Sequence, residues 1–486
     1  MATAAVTTSL ADLLFAPDGE AKPEDVVVVD DAGTTTRAEL AAAASSTADR
    51  LRAAGVAAGA AVAVRLPDGA SLVATLFGVW RAGAVYLPVN PRLTKTEADR
   101  VFASVRPVAL IDERGITTLD GENLNANDGL QSHDADIALI QMTSGTTGRP
   151  KPVLLRHSGV LELMDGVLRK IRSSSGSSSG SVKPSTPMPN LIPVSLSLWA
   201  GIYNVLFAFR VGAPVVVMNG FETATFADLV RRHQIRSTVL PPAAMTMLAD
   251  DDTVTDLDPL RFVRSITAPL SPLQARRFHE KFGVSVLNSY GQTEIGGEVV
   301  GWNAADSREF GDTKLGAVGR PHDAVEARID PESGELQLHT PAMSAGYADG
   351  ADLADRLTPD GWFRTGDIGR IDDDGFVWID GRVSDMINRG GLKVFPGEVE
   401  EVLRLAPEVA DVAVAGVSDE RLGEVPVAFV VVRDGSSFDT SALEELCRGH
   451  LAPYKVPVRY EVLDELPRND VGKVLTRELV RRGDSS

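Results

Sequence analysis

The sequence predicts an α/β protein with a large N-terminal domain of sheets and helices and a small C-terminal α/β domain. Three observations support this fold class. The chain has 486 residues, which is enough for several domains. Ala- and Leu-rich segments with helical spacing alternate with short Val-rich runs, as in successive βα units around a mostly parallel sheet. Near Gly381 the pattern changes, and a Gly-rich turn leads into a final stretch of about 100 residues.

The N-terminal part repeats a helix-then-strand pattern. Helical periodicity predicts the helices, and short apolar β-branched runs predict the strands. The predicted helices are residues 36–54, 71–81, 226–233 and 271–281, and the predicted strands are 61–66, 84–88, 237–240 and 284–287. The Ser- and Gly-rich run 173–181 has no side chain that can bury apolar area, so we expect a flexible surface loop there.

The C-terminal part has a helix and strand pattern of its own. One helix carries Val399, Val402 and Leu403 on a single face, and strand patterns follow at 412–417 and 425–433. A second helix from Ser441 carries an apolar stripe formed by Leu443, Leu446 and Cys447. Because Cys447 lies on that stripe, we expect it to pack in a core rather than to react.

Charge and cysteine content exclude several functional classes. The 48 Lys and Arg residues stand against 67 Asp and Glu residues, and the net charge of −19 opposes attraction to phosphate backbones. We therefore expect no nucleic-acid partner. The single cysteine cannot form an intramolecular disulfide and fits a reducing compartment, and no export signal precedes Lys22, so we expect a cytoplasmic protein.

One uncharged segment approaches the length of a membrane span. Residues 191–209 form a run of 19 residues without a formal charge. Pro193, Gly201 and Asn204 lower its hydrophobicity, and Arg210 follows at once. We therefore expect a buried segment of a soluble domain and not an integral membrane protein.

The strongest local signal is the string QMTSGTTGRPK at residues 141–151, which follows the apolar run 137–140. A strand that ends in glycine and hydroxyl residues can surround phosphate oxygens with backbone N–H groups and hydroxyls, and Lys151 adds positive charge. The string lacks the GK[ST] ending of a Walker A loop. It predicts a phosphate site formed by Thr143, Ser144, Gly145, Thr146, Thr147, Gly148 and Lys151.

This string and several later segments, in the same order, resemble the motifs of the adenylate-forming superfamily. That superfamily includes acyl-CoA synthetases, aryl-CoA ligases, firefly luciferase and peptide-synthetase adenylation domains. Each short piece alone is common, so the specificity comes from the ordered set, which extends to Lys473. The later segments are NSYGQTE at 288–294, GEL at 334–336, Gly346-Tyr347, DGWFRTGD at 360–367, GRVSDMINRGGLKVFPGE at 381–398 and PRNDVGK at 467–473.

The resemblance implies a nucleotide site with a magnesium ion. Tyr290 would offer a flat face to the adenine, and the carboxylate of Asp367 would accept hydrogen bonds from both ribose hydroxyls. Arg382 would also face the nucleotide. Glu294 and Thr143 would be oxygen ligands of Mg²⁺. The other nucleotide contacts implied by these motifs are Asn288, Ser289, Gly291, Gln292, Thr293 and Ile379.

The implied reaction joins a carboxylic acid to a thiol in two steps. The carboxylate attacks the α-phosphorus of ATP to form acyl-AMP and pyrophosphate, and CoA then accepts the acyl group. Because two anions must meet, the site needs fixed cations more than a proton relay. Lys473 is expected to be that cation, with Thr293 and Glu294 as the other catalytic residues. The implied cofactors are ATP, Mg²⁺ and CoA.

In the superfamily the small domain is a mobile lid that rotates between the two half-reactions. Motif position makes Ser384 the hinge residue, so we expect an N-terminal adenylation core of residues 1–383 and a C-terminal lid of residues 384–486. Relatives commonly carry Asp or Lys at the hinge, so any ionic stabilisation of one conformer is lost here. Alternatively, Ser384 is an ordinary turn residue and Gly390 and Gly391 are the flexible points.

The acid pocket is expected between Leu198 and the segment before Tyr290. Peptide-synthetase adenylation domains have an aspartate in the earlier part of this region, whereas the stretch SLSLWAGIYN has none, which disfavours an α-amino acid. Many acyl and aryl relatives have a histidine where this chain has Leu198. Core packing explains each apolar residue here equally well, but together they predict a hydrophobic carboxylic acid. The predicted pocket residues are Leu198, Trp199, Tyr203, Ile266 and Thr267.

Other functions remain open at this point. The enzyme could pass the acyl group to the phosphopantetheine of an acyl or peptidyl carrier protein, or to an amine, and the missing histidine and the serine hinge add weight to that alternative. A non-catalytic nucleotide-binding homologue is disfavoured because Lys473, Glu294 and Asp367 are all present. A membrane transporter of acids would need more apolar segments than one. Both a monomer and a homodimer are compatible with the sequence.

Overall fold

The computed structural model describes residues 9–17, 21–119, 132–143, 150–174, 187–351, 353–468 and 474–485. Of the Ser- and Gly-rich run, residues 173–174 end a helix and residues 175–181 lie outside the described residues. The α-helices are α1 Asp12–Phe15, α2 Arg37–Ala53, α3 Ala70–Arg81, α4 Lys95–Val105, α5 His157–Ser174, α6 Trp199–Arg210, α7 Thr223–Arg232, α8 Pro242–Asp250, α9 Pro272–Phe282, α10 Ala304–Phe310, α11 Pro396–Leu403, α12 Thr440–His450 and α13 Thr476–Ser485.

The strands are numbered in the same way along the chain. They are β1 Val26–Asp30, β2 Gly33–Thr36, β3 Ala61–Arg65, β4 Val85–Pro88, β5 Ala109–Asp112, β6 Gly115–Thr118, β7 Ile137–Thr143, β8 Lys151–Arg156, β9 Asn190–Ile192, β10 Val215–Val217, β11 Ser237–Leu240, β12 Phe262–Ser265, β13 Ser285–Leu287, β14 Ser289–Gln292, β15 Gly297–Gly301, β16 Arg320–Pro321, β17 Glu326–Ile329, β18 Glu335–His339, β19 Phe363–Ile371, β20 Val377–Arg382, β21 Ile387–Arg389, β22 Leu392–Val394, β23 Val409–Asp419, β24 Gly423–Val432 and β25 Arg459–Leu463.

The predicted helix–strand alternation and its mostly parallel sheets are confirmed. One sheet has the order β6-β5-β3-β4-β7-β8, with parallel pairs in the centre and antiparallel strands at both edges. A second sheet has the order β2-β1-β10-β9, and a third, all-parallel sheet has the order β11-β12-β13. Crossover helices cover these strands, as parallel connections require.

The helix boundaries follow local capping chemistry. Thr36 and Glu39 form a capping box in which each side chain bonds the other residue's backbone N–H, so α2 begins at the next residue after Thr36. Ser271 and Gln274 start α9 in the same way. Gly283 ends α9 in the left-handed conformation, with φ of 67°, which glycine adopts without a Cβ penalty.

The uncharged segment 191–209 divides between two elements. Its first residues belong to strand β9, Pro193 follows in a non-helical link, and helix α6 begins at Trp199. Leu191, Ile202 and Leu206 are buried, which confirms a buried segment. In the part of the chain that the structure describes, every helix is too short or too polar to cross a membrane.

Two antiparallel sheets carry the later motifs. One has the order β14-β15-β16 and contains most of the string NSYGQTE, which continues into a 3-10 turn at Thr293–Ile295. The other has the order β17-β18-β19-β20 and contains the last two residues of the string GEL and all of the string FRTGD. The βα pattern did not predict these sheets, because several of their strands are short and only partly buried.

The C-terminal residues form the separate α/β unit that the sequence predicts. Its sheet has the order β22-β21-β24-β23, and β25 pairs in parallel with β24. Helices α11 and α12 bury Val399, Leu403, Leu443 and Cys447 in one apolar cluster with this sheet. Cys447 is a buried free thiol, in agreement with its expected place in a core.

Candidate active site

The two motifs predicted to bind adenine and ribose meet at one buried carboxylate. Asp367 lies in the middle of β19, and its side chain is 3% exposed. In the antiparallel register it stands opposite Arg382 of β20, whose Nε lies 3.0 Å from Asp367 Oδ1. The register of this hairpin therefore places the predicted ribose ligand against the predicted arginine.

Strand β14 supplies two further partners for the same carboxylate. Tyr290 and Gln292 are two residues apart, so their side chains lie on one face of the strand. The Tyr290 hydroxyl donates to Asp367 Oδ2, and Gln292 Nε2 donates to the same oxygen at 2.9 Å. Burial and the Asp367 charge raise the pKa of Tyr290 well above its usual range, so this hydroxyl stays a donor.

The GEL string holds the ribose motif in position. Thr365 Oγ1 donates to the Leu336 carbonyl at 2.6 Å, and the Gly366 N–H donates to Glu335 Oε1 at 2.8 Å. Thr365 also accepts a bond from the Asp367 N–H at 3.1 Å. The strand that carries the GEL string therefore fixes the backbone next to the Asp367 carboxylate.

Arg356 is a site residue that the sequence did not indicate. Its Nη2 donates to the Arg364 carbonyl at 2.9 Å and to the Thr365 carbonyl at 3.1 Å, and it lies 3.4 Å from Gln292 Oε1. It therefore helps to orient the amide that contacts Asp367. No motif marks Arg356, because it lies in an irregular stretch between β18 and β19.

The predicted metal ligand Glu294 lies in the 3-10 turn that follows β14. The residue is 8% exposed, and the Tyr347 hydroxyl donates to its Oε1 at 3.4 Å. Burial and this carboxylate raise the pKa of Tyr347 to about 12. The backbone carbonyl of Glu294 accepts the Ser344 N–H at 2.8 Å, so the segment carrying Tyr347 is held against the turn.

Tyr347 also links Glu294 to the beginning and end of the phosphate string. Lys151 Nζ lies 5.0 Å from the centre of the Tyr347 ring, a cation–π distance. Lys151 is paired with Thr143 across β7 and β8, and Thr143 Oγ1 donates to the Lys151 carbonyl at 3.4 Å. Thr143, Lys151, Tyr347 and Glu294 are thus brought to one place by three separate segments.

Several predicted site residues lie outside the described residues, so their positions stay predictions. Two other predicted site residues form hydrogen bonds with the backbone. Ser289 Oγ donates to the Ser265 carbonyl at 2.6 Å, and Asn288 Oδ1 accepts from the Ser289 N–H at 3.0 Å. Ile379 packs against the main apolar core. Gly291 pairs closely with β15, where a Cβ would collide with the Gly297 carbonyl. The residues outside the described part are Ser144, Gly145, Thr146, Thr147, Gly148 and Lys473.

The predicted acid-pocket residues come from the start of α6 and the end of β12. Trp199 Nε1 donates to the Gly296 carbonyl at 2.9 Å, and a Cβ on Gly297 would lie 2.6 Å from the same nitrogen. Tyr203 follows one turn later, with its ring centre 5.8 Å from that of Trp199. Leu198 is the residue just before the helix and is partly buried.

The loop after β12 contains a strained residue. Thr267 has φ of 72°, a left-handed conformation that is costly for a β-branched side chain. The Ala268 N–H donates to the Ile266 carbonyl at 3.0 Å, which makes Thr267 the centre of a three-residue turn. Ile266 packs against the main core beside this turn. The departure of Ile266 and Thr267 from the small residues of the superfamily motif is therefore accommodated at an energetic cost.

The residues present fit the magnesium ion that the resemblance implies. In the described ranges, no group of three or more His, Cys, Asp or Glu side chains could hold a metal by itself. Mg²⁺ does not require such a group, because proteins usually bind it through one or two carboxylates, water and substrate phosphates. Glu294 is a buried carboxylate next to the ends of the phosphate string, which is the donor type and place that such an ion needs.

Comparison with known proteins gives the family. Residues 15–348 match the model for an AMP-binding enzyme, and residues 398–473 match the model for an AMP-binding enzyme C-terminal domain. The chain is 32% identical to a 2-succinylbenzoate–CoA ligase of Geobacillus kaustophilus, over 94% of this chain and 95% of the relative. It is 31% identical to the fatty acid–[acyl-carrier-protein] ligase ScoC of Streptomyces coeruleorubidus, over 96% of this chain and 95% of that protein.

A solved structure agrees with this result over almost the whole chain. ATP-bound MatB from Rhodopseudomonas palustris superposes with a TM-score of 0.85 at 27% identity, covering 98% of this chain and 99% of MatB. The predicted resemblance and fold are therefore confirmed, and the chain belongs to the AMP-binding enzyme family, that is, to the adenylate-forming superfamily.

Proposed function

We propose that this protein is an ATP-dependent acid–thiol ligase that activates a hydrophobic carboxylic acid as acyl-AMP and transfers the acyl group to CoA. The observation that carries the proposal is the convergence of three separate motifs on one buried carboxylate. Asp367 is contacted by Tyr290 from the adenine motif and by Arg382 from the hinge motif. Such a carboxylate suits a nucleotide ribose, because two neighbouring hydroxyls can donate to it.

The lone pairs of Asp367 limit how the ribose binds. A carboxylate has about four acceptor positions. Tyr290, Gln292 and Arg382 already use three of them, so the second ribose hydroxyl must replace one of these donors. Arg382 is the donor that is most easily displaced, because its side chain is 37% exposed and water can solvate it. Tyr290 and Gln292 then keep the carboxylate in place.

The first half-reaction needs positive charge more than proton transfer. Glu294 and Thr143 would hold Mg²⁺, which when bound supplies positive charge for the leaving pyrophosphate. Lys151 adds charge at the end of the phosphate string, and Thr293 lies beside Glu294 in the same turn. Lys473 is proposed to bind the substrate carboxylate and the α-phosphate together, which stabilises the charge that develops between them. No nucleophilic side chain is needed, since the substrate carboxylate itself attacks phosphorus.

For the second half-reaction we propose a boundary between residues 383 and 384, with residues 384–486 as a mobile lid. Ser384 lies just after β20 in a turn, where its Oγ donates to Asp385 Oδ1 at 2.8 Å. Such a local bond can be kept while the backbone rotates, whereas a hinge ion pair with another element would break. The rotation would remove Lys473 from the site and admit the thiol.

A second acceptor has a specific observation in its favour. The relative ScoC, which aligns with nearly the whole chain, is a ligase that uses an acyl-carrier protein. CoA and a carrier protein present the same phosphopantetheine thiol, so either acceptor fits the same adenylation site. Transfer to a carrier protein, or to an amine, is therefore the alternative.

The proposed location is the cytoplasm. The proposed oligomeric state is a monomer or a homodimer, and light scattering measures which of the two forms.

Mass spectrometry of the purified protein with ATP, Mg²⁺, CoA and a mixture of straight-chain, branched and aromatic acids tests the proposal. Acyl-CoA together with AMP is the expected product, and a reaction without CoA is expected to leave acyl-AMP. Acyl-AMP without acyl-CoA, in the complete mixture, would instead favour a carrier protein or an amine. If no acid gives acyl-AMP, the proposed adenylation is wrong.

A further inference from the structure

The turn that carries the proposed metal ligand Glu294 depends on contacts with other elements. It joins β14 to β15 and consists of the 3-10 turn Thr293–Ile295 followed by two glycines. Gly296 and Gly297 have φ of 89° and 115°, a region in which the glycine backbone has wide freedom. The Tyr347 hydroxyl reaches the Glu294 carboxylate only at 3.4 Å, near the limit of a hydrogen bond. The position of this carboxylate therefore depends on what holds the backbone of the turn.

Helix α6 supplies one of the contacts that hold this turn. Trp199 is the first residue of the helix and is 7% exposed, and its Nε1 donates to the Gly296 carbonyl at 2.9 Å. The indole also lies against Gly297, where an added Cβ would come within 2.6 Å of Nε1. A second contact comes from the segment after β18, where the Ser344 N–H donates to the Glu294 carbonyl at 2.8 Å. Two separate elements thus hold the backbone of the turn, and α6 does so through a side chain.

The backbone just before Trp199 is tied to the strand that carries the other proposed metal ligand, Thr143. Gln141 and Thr143 are two residues apart on β7, so their side chains lie on one face of the strand. Gln141 is 4% exposed, and its Nε2 donates to the Ser197 carbonyl at 3.3 Å. Ser197 precedes Trp199 by two residues. A short path of hydrogen bonds therefore joins strand β7, through the start of α6 and the Trp199 indole, to the turn that carries Glu294.

A magnesium site depends strongly on the positions of its ligands. Mg²⁺ demands near-ideal octahedral geometry with ligand distances of about 2.0–2.1 Å, so a small shift of one oxygen weakens binding. Groups that orient a metal ligand are for this reason almost as important as the ligand itself. An indole suits this task here, because it fills apolar space with its ring and has one N–H that can fix a carbonyl. A phenylalanine would fill similar space but could not donate to Gly296.

We infer that Trp199 is a positioning residue for the magnesium site. Its indole N–H fixes the Gly296 carbonyl and thereby sets the position of Glu294 relative to Thr143. Trp199 acts through the turn and not by contact with the ion. The inference rests on the proposed ligase function, and it gives Trp199 a role in addition to that of a wall of the acid pocket.

ATP binding with and without Mg²⁺ tests this role. Trp199→Phe keeps an aromatic ring and removes the N–H, and isothermal titration calorimetry gives the dissociation constant for ATP in excess Mg²⁺ and in EDTA. We expect the variant to weaken ATP binding about tenfold in Mg²⁺ and to leave it unchanged in EDTA, because only the metal complex depends on the turn. The Mg²⁺ concentration for half-maximal pyrophosphate release should rise about tenfold. Excess Mg²⁺ should restore the rate, and the KM for the acid should stay unchanged.

Trp80→Phe is the matched control. Trp80 is 5% exposed and its Nε1 donates to the Ala138 carbonyl at 2.7 Å, so this substitution also removes an indole bond to a backbone carbonyl. Ala138 lies within β7, and the pairing of β7 with β4 and β8 holds that strand without the indole. The control should lower the melting temperature and leave both dissociation constants for ATP and the Mg²⁺ requirement unchanged.

Gln141→Met is a second variant, which decides the question if Trp199→Phe does not fold. It removes the bond to the Ser197 carbonyl at the other end of the path and keeps a side chain of similar size. It should weaken ATP binding in Mg²⁺ and not in EDTA. If Gln141→Met binds ATP like the wild type under both conditions in that case, the inference is wrong.

The outcomes separate the inference from the proposed function. The inference is overturned if folded Trp199→Phe binds ATP in Mg²⁺ as tightly as the wild type. It is also overturned if the variant weakens binding equally in Mg²⁺ and in EDTA, since an equal loss indicates a structural role only. A higher KM for the acid with an unchanged Mg²⁺ requirement would leave Trp199 as a pocket wall alone. If the wild type itself binds ATP no better with Mg²⁺, or forms no acyl-AMP, the proposed function fails instead.

Discussion

Replacement of Asp367 by asparagine gives the most direct test of the nucleotide site. The substitution keeps the size of the side chain but removes its charge. An asparagine that places its oxygen at the position of Oδ2 still accepts from Tyr290 and Gln292. Its amide nitrogen then faces Arg382, and the oxygen that would accept from the ribose hydroxyls is lost. The local fold should therefore persist while nucleotide binding weakens.

The expected size of the effect follows from the lost bond. A hydrogen bond to a charged group contributes about 1.5–3 kcal/mol, and about 1.4 kcal/mol corresponds to a factor of ten. The loss of even one such bond in Asp367→Asn should therefore raise the dissociation constant for ATP by roughly 10- to 150-fold, and the loss of both should raise it further. Isothermal titration calorimetry with ATP and Mg²⁺ measures this constant, and circular dichroism establishes that the variant is folded.

Asp372 provides a matched control. It follows the same strand β19 and accepts hydrogen bonds from Lys314 Nζ at 2.8 Å and Trp378 Nε1 at 3.0 Å, and among the described residues its hydrogen bonds go to no motif residue at the nucleotide site. Asp372→Asn should lower the melting temperature and leave ATP binding unchanged. The reasoning is refuted if folded Asp367→Asn binds ATP as tightly as the wild type, or if the control weakens binding equally.

Three further predictions concern catalysis, the acid pocket and acid stability. Lys473→Ala should abolish acyl-AMP formation and leave thioester formation from supplied acyl-AMP largely intact; loss of both half-reactions would contradict its assigned role. Gly297→Ala should displace Trp199, because the new Cβ would lie 2.6 Å from Trp199 Nε1, and raise the KM for the acid more than that for ATP. Gly375→Ala is the control, because this glycine also has a positive φ but an added Cβ there would meet no other atom; it should leave the KM for the acid and the KM for ATP unchanged. Burial lowers the pKa of His157 from 6.5 to about 4. As the pH falls from 6.5 to 4, the unfolded chain therefore binds a proton at this side chain before the folded chain does, and the stability of the fold should decrease. Thermal denaturation of the wild type and His157→Gln at several pH values measures this loss, which the variant should lack.

Much of the site could be predicted because its motifs are contiguous strings. A phosphate string needs small residues in sequence, since neighbouring backbone N–H groups must point at one anion. The order of the strings identified the superfamily, and family comparison confirms that identification. The helix–strand alternation of the first half could be predicted for a similar reason, because periodicity and capping act within a few residues.

Other parts could not be predicted because they depend on contacts between distant residues. Arg356 reaches Gln292 across 64 positions, and no local pattern marks it. Arg264 and Glu298 are 34 positions apart, and Lys170 lies 152 positions from His322. In the sequence each of these charges resembles an ordinary surface residue.

The sequence by itself determined the family, the order of the motifs and the chemistry of acid activation. Only the tertiary structure decided which side chains share a site. The register of the β19–β20 hairpin sets Arg382 opposite Asp367, and the packing of β12 and β15 brings Arg264 to Glu298. The physical reason is that hydrogen bonds and burial depend on three-dimensional position. Strand register and the packing between sheets decide which residues that are distant in the chain lie next to each other.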